Sequence, residues 1–332
     1  MRSPLADLFL PRDQRPPNRP LQGLSWPAGL SILENVRLAR YTRFDVGGAA
    51  RILADAANEA ALIEVLNAIQ ESGQQYAIIG GGTNLVAGDR GYPGVVVRYT
   101  DAALEFAGDT VKVAAGAALQ HLVDTCIARG LKGLETMTGI PGWVGGAVYG
   151  NAGAYGHSMQ ECVTSVRFLE RGSVREISNA ACEFAYRESR FKRQKDWVIL
   201  SVILRLGSAN AEELSATANG ILKLRNEKYP PTMRCAGSIF KNLLWRELPE
   251  AVRALVPAAV VREGKVPSAY FLEQAGAKGM RRGRVRVADY HANLIYNEGG
   301  GTAQEVGELI AELKRRVHDR FGLDLEEEVQ FL

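Results

Sequence analysis

The sequence predicts an α+β fold, with strands and helices mixed rather than alternating as regular βαβ units. Three observations carry that expectation. Helical signals recur at residues 58–73, 117–130, 210–228 and 302–321. Short apolar runs of strand character stand between them. Two glycine-rich loops, at 80–85 and 138–156, interrupt the first half of the chain.

Taken in order, residues 1–30 are rich in Pro and Arg and read as an arm, so order should begin near Ser31. "ARILADA" reads as a strand. The helix after it has Asn58 as its N-cap and Leu62, Val65, Leu66 and Ile69 on one face. "YAIIGGG", "VVVR" and "VKVAAG" read as strands. "AALQHLVDTCIARG" reads as a helix stopped by Gly130, with His121 in a surface or core role rather than as a ligand. The run "TGIPGWVGGAVYGNAGAYG" should be neither a good helix nor a good strand, because ordering glycine is entropically costly. "CVTSVRFLE" and "WVILSVILRL" are further strands. Near Ser208 the pattern changes to a helix stopped by "YPPT", which suggests a domain boundary. Thr302 and Glu305 form a capping box ahead of Val306, Ile310, Leu313 and Val317, and Gly322 ends that helix. "LDLEEEVQFL" reads as a final strand.

The 332 residues carry 46% hydrophobic and 23% charged side chains, enough for a sizeable core in more than one domain. A net charge of +3 gives no reason to expect nucleic acid. Cys126, Cys162, Cys182 and Cys235 form no CxxC pair, so no metal is expected and reduced, cytoplasmic thiols are. No run is apolar enough to span a membrane, and residues 1–23 lack the apolar block of a signal peptide.

Glycine lets a backbone N–H approach a phosphate or a flat ring closely. Tight turns and bulges account for either loop alone equally well. A Rossmann reading fails, because Leu85 stands where Gly or Ala is needed and a strand, not a helix, follows. There is no GxxxxGK[ST] sequence either. Two such loops in one half of the chain favour a large cofactor bearing a pyrophosphate.

Seven stretches occur in order: "YTRFDVGGAA", "IIGGGTNLV", "TGIPGWVGGAVYGNAGAYG", "YRESRFK", "CAGSIFKN", "EQAGAKGMRRGRVRVADYHANLIYN" and "LEEEV". Together they resemble the UDP-N-acetylmuramate dehydrogenases, also called UDP-N-acetylenolpyruvoylglucosamine reductases, from Tyr41 to Phe331. The resemblance implies an FAD-binding fold of the vanillyl-alcohol-oxidase type. Its two α+β subdomains would span about 31–103 and 104–208, with an α+β substrate domain at 209–332. It implies NADPH as co-substrate and reduction of an enolpyruvyl ether to a lactyl ether on UDP-N-acetylglucosamine, by a monomer. The cofactor positions would be Gly80, Gly81, Gly82, Thr83, Asn84, Leu85, Thr138, Gly139, Ile140, Pro141, Gly145, Gly146, Asn151 and Gly153.

The resemblance also implies three catalytic positions. Arg187 would hold the substrate carboxylate and steady the enolate. Ser238 would give the proton. Glu328 would be the C-terminal acid, protonated through burial, with Glu326 on its face of the strand and Glu327 on the other. Outside this match, an arginine in a loop, a Gly-Ser turn and an acidic edge are ordinary surface features.

Tyr155, Arg225, Lys228, Tyr229, Asn242, Lys278 and His291 match substrate-contacting or nearby positions. The basic run Lys278, Arg281, Arg282, Arg284 and Arg286 reads as a solvated or phosphate-facing strand. Gln330 and Leu243 depart from the family pattern, where arginine and proline are usual. The 51 positions between Arg187 and Ser238 are too few for the capping loop of one subtype. Tyr155, Tyr229 or the basic run would then cover the substrate. An FAD-dependent alcohol or sugar oxidase is the competing enzyme reading, and it would not need the set Arg187, Ser238 and Glu328. A flavoprotein without turnover is the third.

Overall fold

The computed structural model describes residues 30–332, so the arm expected at residues 1–30 lies outside the described residues up to its last position. The first sheet is built from β1 (Leu30–Arg37), β2 (Ala49–Ala56), β3 (Tyr76–Ile78) and β5 (Tyr92–Tyr99), in the order β1-β2-β5-β3. Helix α1 (Glu59–Glu71) packs on it. Asn58 caps that helix by accepting from the Ala61 N–H at 2.9 Å, and Leu62, Val65, Leu66 and Ile69 are buried. Each such side chain contributes roughly 1.5–3 kcal/mol when fully buried. The glycine loop ends in β4 (Leu85–Val86), and the chain runs on to β5 without a helix.

The second sheet is antiparallel. It contains β6 (Leu104–Ala107), β7 (Thr110–Ala114), β8 (Val163–Glu170), β9 (Ser173–Ser178) and β10 (Val198–Arg205), ordered β9-β8-β10-β7-β6. Helix α2 (Leu119–Ala128) covers it, and His121 sits exposed on the helix surface.

The glycine run contains a short helix, α3 (Val144–Tyr149), which its composition argued against. Tertiary packing overrides propensity here. Gly145 donates its N–H to Ala115 O at 2.8 Å, and a Cβ there would meet the Ala115 Cβ at 2.9 Å. Val144 and Val148 are fully buried beside it.

Helix α4 (Ala211–Lys228) buries Leu214 and Ala218 in the same core as the first two sheets. A third, antiparallel sheet follows, from β11 (Arg234–Ser238), β12 (Arg281–Arg282), β13 (Val285–Ala288) and β14 (His291–Asn297), ordered β11-β14-β13-β12. Helix α5 (Ser268–Gln274) and the capped helix α6 (Ala303–Phe321) pack against it. Phe44, Val46 and Val86 reach into that second core from the N-terminal half.

The final strand is shorter than the sequence suggests. Only β15 (Gln330–Phe331) is regular, and it pairs parallel with β4. Glu327 adds one isolated bridge to Phe240. Among the described residues, no helix is long and apolar enough to cross a membrane.

Candidate active site

The two glycine loops meet. The Thr83 hydroxyl donates to Pro141 O at 3.1 Å, and Gly81 lies against Trp143, where a Cβ would come within 3.2 Å of the ring. Gly80 faces the same indole. Gly82, at φ +63°, passes so close to Tyr41 O that a Cβ would sit 1.7 Å from it. Beside them opens a cleft of about 410 Å³ lined by Arg40, Tyr41, Thr42, Arg43, Gly81, Arg98 and Trp143. Arg98 forks onto Asp55 at 2.7 and 2.6 Å and stacks 4.6 Å from the Tyr41 ring centre. The sequence reading did not single out Arg40 and Arg43, although both lie in or beside "YTRFDVGGAA".

The second loop offers the surface of a cofactor seat. Gly146 is exposed, and the space where its Cβ would stand is open. Thr138 is 3% exposed, yet its hydroxyl has no partner. Buried polar groups are normally hydrogen-bonded, so that hydroxyl is available to a bound molecule. The Gly139 N–H donates to Gln120 Oε1 at 2.7 Å and the Ile140 N–H to Met137 O at 3.0 Å, which sets the turn. These features fit a flat, anionic dinucleotide.

Four of the expected positions also have partners within the chain. Asn151 spends its side chain on Gln160 and Ala185 and is buried, so it braces the loop. Gly153 belongs to a tight hairpin, where a Cβ would strike His157 O at 2.4 Å. Asn84 donates from Nδ2 to Glu328 O at 3.0 Å, and Leu85 pairs with Gln330. Both tie the first loop to the last strand.

The segment leading into that strand carries the acids. Glu328 Oε1 lies 2.6 Å from Arg187 Nε, approached off the N–H axis, so the contact is an ion pair rather than a hydrogen bond. The Glu328 side chain is 22% exposed, and a guanidinium faces it. Glu326 pairs with Lys241, while Glu327 turns the other way to Lys314 at 2.8 Å, in keeping with strand alternation. Arg187 has φ +58°, a left-handed conformation costly for a residue with a side chain. The Lys192 ammonium donates to Arg187 O and to Glu188 Oε1, both at 2.9 Å, and steadies that turn. Lys241 donates to Glu188 Oε1 at 2.7 Å. Burial works to raise Glu188, but the hydrogen bonds from Lys241 and Lys192 overcome it and hold the carboxyl below its ordinary value.

Ser238 ends β11 just after Gly237, whose φ of +74° accompanies a bulge against β14. The Glu328 N–H donates to Ile239 O at 2.7 Å, so the residues after Ser238 and the glutamate segment lie side by side. Ser238 Oγ lies 3.0 Å from the Tyr229 hydroxyl. The Asn242 N–H donates to the Tyr186 hydroxyl at 3.2 Å, and Asn242 Oδ1 accepts from Ser268 N at 3.4 Å.

Arg225 is buried with Nε unpartnered. Burial draws its guanidinium below the ordinary value, and the neighbouring cations Arg43 and Arg187 act in the same direction. Such a cluster of cations suits an anionic ligand. Lys228 lies 5.1 Å from the Tyr229 ring centre, and Tyr155 stands 48% exposed nearby in charge terms, interacting with Arg225. His291 packs edge-on to Tyr229 at 6.2 Å. Its Nε2 is buried without a partner, and burial, reinforced by Lys228 and Lys278, pushes the ring down to about 4. Lys278 is tied to Glu273 at 2.5 Å, Arg286 to Asp289 at 2.6 Å, and Arg281 to Glu298. Ion pairs therefore occupy much of the basic run.

A family model described as an FAD binding domain matches residues 50–178. A crystal structure of UDP-N-acetylenolpyruvylglucosamine reductase from Thermus caldophilus superposes with a TM-score of 0.72 at 26% identity, covering 91% of this chain and 98% of that one. The fold and its glycine cradle thus define an FAD-dependent oxidoreductase, with the FAD-binding α+β fold expected from the sequence.

A second family model, the C-terminal domain of UDP-N-acetylenolpyruvoylglucosamine reductase, matches residues 229–332. The reductase of Solibacter usitatus is 57% identical over 91% of this chain and 97% of its own length, and that of Bacillus subtilis is 32% identical over 91% and 94%. The chain belongs to the UDP-N-acetylenolpyruvoylglucosamine reductase family.

Proposed function

We propose that this chain uses NADPH to reduce UDP-N-acetylglucosamine enolpyruvate to UDP-N-acetylmuramate, in the cytoplasm, as a step toward peptidoglycan. The observation that supports it most is the convergence of Arg187, Glu328 and the Ser238 strand beside the first glycine loop. In this reading residues 31–208 seat the cofactor and 209–332 the substrate, and one chain suffices.

Bound FAD would supply the hydride chemistry, held by Gly80–Leu85 and by the Thr138–Gly146 turn. Arg187 has N–H groups beyond the one facing Glu328, and these grip the substrate carboxylate. When hydride reaches the vinyl carbon, negative charge spreads from the adjacent carbon into that carboxylate. The fixed guanidinium stabilises it without reorganising. Ser238 then delivers a proton to the adjacent carbon. Glu328 holds Arg187 in place and balances its charge. Arg225, Lys228 and Asn242 bind the UDP-sugar end, with Arg225 and Arg43 facing its diphosphate.

The test is an anaerobic visible spectrum of FAD-loaded protein. The flavin band should bleach with NADPH and return with the enolpyruvyl substrate. Bleaching without recovery would move the substrate to another class. Failure to bind added FAD would overturn the reading of the loops.

A further inference from the structure

We propose that Tyr229 is a positioning residue for Ser238, aiming its proton at the substrate and restoring that proton afterwards. The inference rests on the reading of Ser238 as proton donor. The phenol oxygen lies 3.0 Å from Ser238 Oγ, and either hydroxyl can donate. Only one arrangement leaves Ser238 a proton to give. Tyr229 must donate to Oγ, so that the serine hydrogen points away from the ring.

That arrangement also answers the weakness of serine as an acid. As the proton leaves, charge grows on Oγ, and a donor already aimed at it stabilises that charge. The transfer balances in three steps. The enolate carbon gains a C–H bond as the Ser238 O–H bond breaks. The Tyr229 proton passes to Oγ, which regenerates the serine and leaves a phenolate. The phenolate then takes a proton from water, and no electrons are exchanged with a further reagent.

Two cations lie against the tyrosine ring. The Arg225 guanidinium lies 5.8 Å and the Lys228 ammonium 5.1 Å from the ring centre. These are cation–π contacts that help hold the ring in place. The tyrosine is also anchored. Its N–H donates to Arg225 O at 2.6 Å at the end of α4, and its ring packs with Cys235, Ala288 and Leu294. His291 touches the same ring edge-on.

The test compares wild type, Tyr229→Phe, Ser238→Ala and the double variant, all loaded with FAD and followed through single turnovers. In Tyr229→Phe, bleaching by NADPH should keep its rate and substrate half-saturation should not move. Product formation should slow on the order of tenfold to a hundredfold, with a larger solvent deuterium effect. Adding Tyr229→Phe to Ser238→Ala should change nothing further. Wild-type product formation in Tyr229→Phe would overturn the proposal. So would loss of flavin binding or equal slowing of both half-reactions, which mark a merely structural role. A raised half-saturation at unchanged rate would mark a substrate contact instead. Further slowing in the Ser238→Ala background would show that Tyr229 acts apart from the serine. If Ser238→Ala itself turned over normally, the underlying reading of Ser238 would fail, whatever Tyr229→Phe did.

Discussion

Arg187 and Glu328 face each other at 2.6 Å, although they come from a strained turn and from the segment just before the last strand. Their sequence neighbours are joined as well, since Lys241 binds Glu188 and Glu326 together. The guanidinium is therefore fixed from two sides before any substrate arrives.

Replacing that fork with a single ammonium should be costly. Arg187→Lys is expected to lower the rate of the enolpyruvyl half-reaction by about 10²-fold, because one Lys donor cannot match a planar carboxylate. Reduction by NADPH should be untouched. Stopped-flow absorbance of each half-reaction checks this, and an unchanged second half would remove Arg187 from its role.

Two glycine substitutions separate folding from cofactor binding. Gly146→Ala adds a methyl group to open space on a helix, where alanine is favoured over glycine by roughly 1 kcal/mol. The apoprotein should melt no lower than wild type, while FAD affinity should fall. Gly82→Ala drives a Cβ into Tyr41 O and should damage both. Thermal melts and FAD titration of the two variants read the difference. Unaltered FAD affinity in Gly146→Ala would place the cofactor elsewhere.

Lys241 is a stability element. Its side chain is 9% exposed between two carboxylates. Lys241→Met would leave Glu188 with Lys192 alone, at a cost of about 1–3 kcal/mol. The pH dependence has a definite sign. Glu188 is held below its ordinary value, so its contribution is complete above the unfolded carboxyl range and is lost as pH falls through the lowered folded value. Denaturant melts of wild type and Lys241→Met should therefore converge only once pH falls below that lowered folded value. A gap that persisted there would contradict this.

His291 imposes the other acid-side loss. Its folded value is depressed to about 4 from 6.5, so unfolding takes up a proton between those limits. Stability from this group is complete above 6.5 and falls by about 3 kcal/mol as pH approaches 4. His291→Gln should melt with a flatter pH profile across that interval. Parallel profiles would show that the ring is solvated.

Much of this was readable from local chemistry. Asn58, Thr302 with Glu305, and Gly322 declare helix ends through side-chain or backbone bonds within a few residues. The alternation of Glu326, Glu327 and Glu328 could be read in the same way. What escaped depended on distant partners. Helix α3 exists because Gly145 docks on Ala115, and no window around the glycines shows it. Glu328 meets a cation because the Arg187 turn is folded against it. Arg40 and Arg43 join the cleft only when Tyr41 closes over Gly82. The Tyr229–Ser238 contact was short in sequence, but its direction depended on the bulge at Gly237.

The pairing of β4 with β15 has a kinetic meaning. It joins Leu85 to Gln330 and Val86 to Phe331, while Asn84 grips Glu328, so one contact spans most of the sequence. Pairings of such high sequence separation form late, after the loop-closure entropy has been overcome. The N-terminal core can condense while the dinucleotide loop still lacks its neighbouring strand. In a refolding experiment, capture of the flavin should follow the growth of secondary structure as a separate, slower phase. The same event would bring Glu328 to Arg187, so cofactor uptake and assembly of the acid-base site would share one clock.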